Sequence, residues 1–187
     1  MITKITIDEF IGNCNIIIPE ENEFHNLGKK LALHKKDNEI IELNFNRGPL
    51  LYTLISKYKP KNILEFGTGG GFGTMSMAWA ITDHEIDGTI FTVDILDSSH
   101  SWSRTIDWDN GEGPIINEMS NNEVWNKIIP IEWSTKVKTI TGYSGQVMAK
   151  NKFPKIDFSY IDGAHFYGGV KHDFYSFLKN SKETFGV

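Results

Sequence analysis

The sequence contains one cysteine, Cys14, among 187 residues. A single thiol forms no disulfide within the chain, and a zinc site built on cysteines would lack ligands. No apolar run approaches the roughly 18 residues that a membrane span needs. The N-terminal stretch MITKITIDEF also lacks the apolar segment of a signal peptide. We therefore expect a reduced, cytoplasmic protein with no membrane partner.

Positive charge is scarce as well. The chain has 19 Lys and Arg against 24 Asp and Glu, for a net charge of −5. Non-specific nucleic-acid binding needs a basic face, so we expect no nucleic-acid partner. A small neutral or anionic substrate is compatible with this charge. Apolar residues make up 40% and charged residues 23%, as in ordinary globular proteins. The length predicts a single domain over residues 1–187.

Short apolar runs alternate with helical segments after residue 60. We predict four strands, at NILEFG, GTIFTVDI, KVKTITG and KIDFSYIDG. Predicted helices are LLYTLISKY before the first strand, and MSMAWAI, SGQVMAK and HFYGGVKHDFYSFLKN after the first, third and fourth. Strands that alternate with helices pair in parallel through right-handed crossovers. The sequence therefore predicts an α/β, Rossmann-like doubly wound fold with a mostly parallel sheet of order 3-2-1-4, and a ligand site at the strands' carboxyl ends.

Two segments lie outside this alternation. Residues 1–46 form an N-terminal arm, in which 1–24 is a strand or an irregular segment and 25–36 is a Lys-rich helix. Residues 97–135 are a polar, irregular insertion that contains four of the five tryptophans. Two roles remain open for these rings. They stack on a substrate near the strand ends, or they form a satellite core or an oligomer interface.

A glycine-rich link joins the first predicted strand to its helix. Such a link lets the backbone turn sharply and lets a ligand approach the main chain near the helix N-terminus. Glycines in a turn also have a purely geometric explanation. The link residues that we expect to bind a cofactor are Gly67, Thr68, Gly69 and Gly71.

Two carboxylates sharpen this expectation. Glu65 stands at the end of an apolar strand, where a charge is costly unless it has a partner. A cationic ligand such as S-adenosylmethionine (SAM) would supply that partner, whereas the pyrophosphate of a dinucleotide would be repelled. Asp94 ends the second strand, where its oxygens can accept hydrogen bonds from both ribose hydroxyls. The alternative for Asp94 is a loop residue or helix N-cap.

These residues carry a family resemblance, which runs from Arg47 to Leu178 apart from the insertion. ILEFGTGGGFGT resembles the E-x-G-x-G-x-G motif of class I SAM-dependent methyltransferases, and FTVDI resembles their acidic second-strand motif. IDFSYIDGAHFYGGVKHDF resembles the small-molecule O-methyltransferases of methyltransferase family 24. The resemblance implies SAM as cofactor and methyl transfer to a small-molecule acceptor, at oxygen. The family often has an acidic residue near adenine after the third strand, and since Tyr143-Ser144 stands there we expect Ser144 or backbone groups to bind adenine.

The resemblance also suggests catalytic residues. Asp162 ends the fourth strand beside the expected methyl group, so we assign it to cofactor binding and catalysis. In metal-dependent relatives an aspartate here ligates Mg²⁺, so the resemblance offers Asp162 as a metal ligand, although the other ligands normally lie on a fifth strand. This chain ends at Thr184–Val187, where that strand should start, so we expect a C-terminally truncated chain or a minimal domain. His165 is either a general base or a helix-start residue that hydrogen-bonds the glycine turn.

Other functions remain open. A non-catalytic or degenerate SAM-binding domain, or an assembly partner, is the main alternative. A nicotinamide-dependent oxidoreductase is less favoured, because its fingerprint has an apolar residue in place of Glu65 and a glycine in place of Phe72. With only four strands, the fourth would leave a hydrophobic edge. We expect residues 1–24 to cover that edge, or a second copy of the chain to pair with it in a homo-oligomer.

Overall fold

The computed structural model describes residues 4–36, 39–42, 44–179 and 181. They form eight helices and eight strands. In chain order these are α1 (Ile7–Asn13), α2 (Glu21–Leu31), β1 (Leu33–Lys36), β2 (Glu39–Glu42), α3 (Arg47–Tyr58), β3 (Asn62–Phe66), α4 (Phe72–Asp83), β4 (Thr89–Asp94), β5 (Trp102–Ile106), β6 (Ile115–Met119), α5 (Asn121–Ile128), α6 (Ile131–Ser134), β7 (Val137–Thr141), α7 (Ser144–Lys150), β8 (Phe158–Ile161) and α8 (Tyr167–Leu178).

The central sheet has the order β7-β4-β3-β8, and all of its pairs are parallel. In the order of the predicted strands this is 3-2-1-4, so the α/β doubly wound prediction is confirmed. The alternation of side chains along β3 explains how the two faces are filled. Ile63 packs in the cluster formed by α3 and α4. Leu64 and Phe66 face the opposite way and pack with residues of α7 and α8, among them Val147 and Phe177.

The two helices that flank the glycine-rich link follow from local sequence. Pro49 lies in the first turn of α3, where its missing N–H costs nothing. That helix ends at Tyr58 and is capped by Lys59, which adopts a left-handed conformation just before Pro60. α4 is buried on nearly all sides, as its apolar sequence predicts. It therefore lies between the parallel sheet and the rest of the protein.

A second, antiparallel sheet was not expected. Its order is β2-β1-β5-β6, and it joins the N-terminal arm to the insertion through the pairing of Leu33 with Thr105. The prediction that residues 97–135 are irregular is wrong, because they form the β5–β6 hairpin and helices α5 and α6. The burial of apolar side chains explains why this segment forms regular structure. Ile106 and Val124 pack with Leu31 and Phe72 in one core cluster.

The N-terminal arm is helical before it becomes a strand. α1 begins with a capping box, in which Thr6 Oγ1 accepts from the Glu9 N–H at 3.1 Å and Glu9 Oε2 accepts from the Thr6 N–H at 2.7 Å. The predicted helix over 25–36 is in fact the second half of α2 followed by β1. α1 and α2 pack against α3. The described part of residues 1–24 therefore forms α1 and the start of α2, which pack on α3. It supplies no strand to the β8 edge.

The chain after α8 returns to that edge. Ser181 forms a single parallel bridge with Ile156, just before β8. The predicted start of a fifth strand at Thr184–Val187 lies outside the described residues. Within the described part, β8 pairs along its length with β3 alone.

Candidate active site

A cavity of about 990 Å³ opens where β3, β4 and β8 end. This is the switch point of the parallel sheet, where ligands of such folds bind. We call it the strand-end cavity. Its walls come from the glycine-rich link, the residues after β4, the start of α7 and the link from β8 to α8, including Gly67, Gly69, Asp94, Ser144, Asp162 and His165.

The glycine-rich link turns sharply beneath the cavity. Gly67 has φ +91, and a Cβ there would lie 2.3 Å from the Asp162 carbonyl oxygen. Its N–H donates to the Val93 carbonyl at 2.8 Å. Gly69 has φ +50, and a Cβ there would meet nothing within 4 Å. Gly67 thus needs glycine for a close backbone approach, while Gly69 exposes backbone to the cavity.

Asp94 fixes the link to β4. Its Oδ2 accepts from the Gly69 N–H at 3.0 Å, and its Oδ1 accepts from the Leu96 N–H at 3.0 Å. Each oxygen keeps a second lone pair for another donor. No helix starts at Asp94, so the N-cap alternative does not hold. The carboxylate therefore lines the cavity with acceptor capacity to spare.

Glu65 lies behind the link and does not line the cavity. It shares a face of β3 with Ile63, its side chain is 1% exposed, and its Oε2 accepts from the Thr74 hydroxyl of α4. Burial raises the pKa of Glu65 to about 7, although the hydroxyls of Thr74 and Thr92 act in the opposite direction. Its predicted role as partner of a cationic ligand stays a prediction.

Two more of the predicted cofactor residues point away from the cavity. The Thr68 hydroxyl lies 2.6 Å from the Thr92 hydroxyl, between the link and β4. Gly71 faces the ring of Trp125, and a Cβ on Gly71 would come within 2.5 Å of it. The structure therefore gathers five of the eight predicted residues around the cavity and places Glu65, Thr68 and Gly71 behind it.

Ser144 lies at the cavity wall with its hydroxyl bonded to the Asp173 carboxylate of α8. Asp173 is buried, and its Oδ1 lies 3.7 Å from Nδ1 of His172. Both residues also line the cavity. Sequence reasoning did not select Asp173, although it is the final aspartate of IDGAHFYGGVKHD, the stretch that carried the family resemblance.

Asp162 meets a cation that sequence reasoning also missed. Its Oδ2 lies 3.6 Å from Nη1 of Arg47, at the start of α3. Burial raises the pKa of the neighbouring Tyr160, and the Asp162 charge adds to this effect. His165 is exposed and lines the cavity. Arg47 stands well before the first motif in the sequence, and its pairing with Asp162 exists only in the folded protein.

A metal site receives no support from the described residues. They include no group of three or more His, Cys, Asp or Glu side chains arranged to hold an ion. A lone carboxylate is a poor Mg²⁺ site, and the charged neighbour of Asp162 is Arg47. The residues present therefore do not fit the Mg²⁺ ion that the family resemblance allowed.

The tryptophans of the insertion pack on the protein itself. Trp133 stacks on Trp79 of α4, with ring centroids 4.8 Å apart. Trp108 and Trp125 belong to the core cluster around Phe72. None of the insertion's tryptophans lines the strand-end cavity as the described residues form it. The satellite-core alternative thus accounts for their positions.

Comparison with protein families identifies the class. The model of a family described as a methyltransferase domain matches residues 64–184, which is more than half of the chain. The chain belongs to this family. The class I methyltransferase resemblance and its Rossmann-like fold are therefore confirmed. A search of curated proteins found no match.

Three solved structures with the same fold are distant from this chain in sequence. A candidate O-methyltransferase from Klebsiella pneumoniae is 19% identical with a TM-score of 0.56, over 94% of this chain and 66% of that one. The Bacillus cereus O-methyltransferase, solved with S-adenosylhomocysteine (SAH), is 20% identical with a TM-score of 0.53, over 94% and 68%. TomG from Streptomyces achromogenes, an O-methyltransferase of tomaymycin synthesis solved with SAM, is 17% identical with a TM-score of 0.53, over 94% and 67%. The chain thus spans about two thirds of their length.

Proposed function

We propose that this chain binds SAM in the strand-end cavity and transfers its methyl group to an oxygen of a small-molecule acceptor. The observation that carries the proposal is the joint position of Gly69 and Asp94. The carboxylate holds the open glycine backbone at the cavity floor at 3.0 Å, in a chain of the methyltransferase family. The SAH and SAM complexes of the Bacillus cereus protein and of TomG support this proposal.

The cavity residues suit the parts of this cofactor. Asp94 has lone pairs free for the two ribose hydroxyls. Ile95 and Tyr143 line the cavity with largely exposed side chains and offer apolar surface to a flat base. The Ser144 hydroxyl already donates to Asp173, so it has only acceptor capacity left for a ligand. The adenine role expected of Ser144 would thus be shared with its backbone.

SAM supplies a methyl group already activated by its positive sulfur, so the protein mainly has to position the reactants. Asp162 faces the cavity at the end of β8 and is oriented by Arg47. His165, three residues further on, is the candidate to take the proton from the acceptor hydroxyl on an imidazole nitrogen. No step is assigned to a metal, because the described residues form no ligand set for one.

Calorimetry with SAH tests the binding step. We expect native protein to bind SAH and not NAD. Asp94→Asn should weaken SAH binding roughly tenfold or more, because an NH2 group replaces one of the two oxygens that accept from the Gly69 and Leu96 N–H groups. The matched control is Asp87→Asn, an exposed aspartate just before the other end of β4. Equal affinity in all three proteins would contradict the placement of the cofactor.

A turnover assay separates the enzyme from its main alternative. Release of SAH is measured with SAM and a panel of phenols and hydroxylated small molecules. We expect release with at least one acceptor, and its loss in His165→Ala with SAH affinity retained. Tight SAH binding without any turnover would instead indicate a non-catalytic SAM-binding domain.

Location and assembly remain proposals. No helix within the described ranges is long and apolar enough to cross a membrane. We also propose the cytoplasmic setting that the single cysteine predicts. The homo-oligomer is proposed because β8 keeps an unpaired edge over the described residues.

A further inference from the structure

Three side chains of the insertion bind the glycine-rich link from behind. Asn121 Nδ2 donates to the Gly69 carbonyl at 2.8 Å. Trp125 Nε1 donates to the Gly70 carbonyl at 3.1 Å, and Arg104 Nη2 donates to the same oxygen at 3.3 Å. We call Arg104, Asn121 and Trp125 the loop clamp. Arg104 lies on β5 of the second sheet. Asn121 and Trp125 lie on α5, the helix that follows β6.

The clamp residues are buried, and two of them, Arg104 and Asn121, are bonded to each other. Arg104, Asn121 and Trp125 are 3%, 8% and 7% exposed. Asn121 Oδ1 accepts from Arg104 Nη1 at 2.8 Å, so the amide bridges the guanidinium and the link. The amide orientation follows from its neighbours, since a guanidinium only donates and a carbonyl only accepts. Burial lowers the pKa of Arg104 to about 10, which shows that this cation is held at a cost.

Packing closes the back of the link as well. A Cβ on Gly70 would lie 2.0 Å from the Leu31 carbonyl oxygen and 3.0 Å from Arg104 Nη2. A Cβ on Gly71 would lie 2.5 Å from the Trp125 ring. Gly70 and Gly71 therefore leave the space that the clamp side chains occupy, whereas Gly69 faces the cavity. The link is held from the side that a ligand would not touch.

We infer that the loop clamp is a set of positioning residues for the cofactor. By fixing the carbonyls of Gly69 and Gly70 away from the cavity, it keeps the Gly69 N–H on Asp94 and the open backbone in its binding geometry. A link that is ordered before binding loses less conformational entropy when the ligand arrives. The identity of the ligand rests on the proposed function, but the positioning of the link by the clamp does not.

Asn121→Asp separates positioning from simple structural support. The substitution is nearly isosteric, and the introduced carboxylate still accepts from Arg104. It places an oxygen against the Gly69 carbonyl, so the bond to the link becomes a repulsion. We expect SAH affinity to fall by about tenfold or more, while the thermal midpoint changes little because the carboxylate gains an ion pair with Arg104. Trp125→Phe, which loses the bond to Gly70 and keeps a smaller aromatic ring, should weaken SAH binding about threefold.

The control is Asn122→Asp, which adds the same charge at the exposed neighbouring position of α5. Hydrogen exchange of the Gly69 and Gly71 amides, without added ligand, gives a second readout. We expect faster exchange in Asn121→Asp than in Asn122→Asp. Native-like SAH affinity and exchange in Asn121→Asp would overturn the inference. If native protein does not bind SAH, the proposed function fails, and exchange alone then decides the clamp: faster exchange in Asn121→Asp supports it and equal exchange overturns it.

Discussion

The Glu65 carboxyl lies between β3 and α4, where burial raises its pKa to about 7 from an ordinary value of 4.5. The folded protein therefore holds this proton more tightly than the unfolded chain does. The resulting contribution to stability is complete below the unfolded pKa of 4.5 and is lost as the pH rises through about 7. Above that pH, a buried carboxylate remains with hydroxyl partners such as Thr74.

We predict that Glu65→Gln abolishes this pH dependence. Glutamine keeps an acceptor for Thr74 and carries no charge. At about pH 8.5 the variant should be more stable than the native protein by roughly 3 kcal/mol, and near pH 5 the gain should be small. Urea unfolding at the two pH values measures the difference. Glu132→Gln, on the exposed start of α6, is the control, and an equal gain for Glu65→Gln at both pH values would contradict the prediction.

Sequence pattern already contained the orientation of Glu65. Side chains two positions apart on a strand share a face. Glu65 therefore points to the α4 side of the sheet, as Ile63 does, whereas Leu64 points to the opposite side. Arg47 and Asp173 carried no such signal, because their partners Asp162 and Ser144 lie far away in sequence. Contacts of this kind are set by the packing of α3 and α8 on the sheet.

The insertion is a structural element of the domain. Its hairpin extends the sheet of the N-terminal arm, and its helices reach the glycine-rich link and α4. Trp133 of α6 packs against two core clusters and stacks on Trp79 with an interplanar angle of 23°. One ring thus connects the insertion to the helix that follows the link.

Removing that ring should weaken the whole domain. We expect Trp133→Ala to reduce the free energy of unfolding by about 3 kcal/mol, because it deletes a stacked, partly buried indole. Chemical denaturation followed by circular dichroism measures the loss. The matched control is Ile131→Ala on the exposed side of the same helix, with an expected change below roughly 0.5 kcal/mol. Similar losses for the two variants would show that α6 does not join the clusters.

The parallel sheet as a whole leaves β8 with one partner strand over the described residues, apart from the bridge of Ser181 to Ile156. The adjoining helix α8 also exposes aromatic rings, including Phe174 and Tyr175. Unpaired strand edges beside apolar surface favour association. We therefore predict that copies of the chain associate at this edge. Sedimentation velocity across a concentration series should show a dimer, and a monomer at every concentration would contradict the prediction.

Local pattern was sufficient for the parallel half of the molecule. Apolar runs ending in glycine or aspartate gave all four strands of the central sheet and their order. The ends of these runs placed Gly67, Gly69, Asp94 and Asp162 at one cavity, because the carboxyl ends of parallel strands meet at one edge, whereas the family resemblance placed Ser144 there. These features depend on residues close in sequence and on the fixed hand of strand crossovers.

Tertiary structure alone decided the rest. The second sheet pairs Leu33 with Thr105, more than seventy positions apart, and no local periodicity specifies such a partner. The bonds from Arg104, Asn121 and Trp125 to the glycine-rich link likewise join residues far apart in the sequence. Long-range pairing is selected by the burial of the shared core around Phe72, which exists only after the elements have packed together.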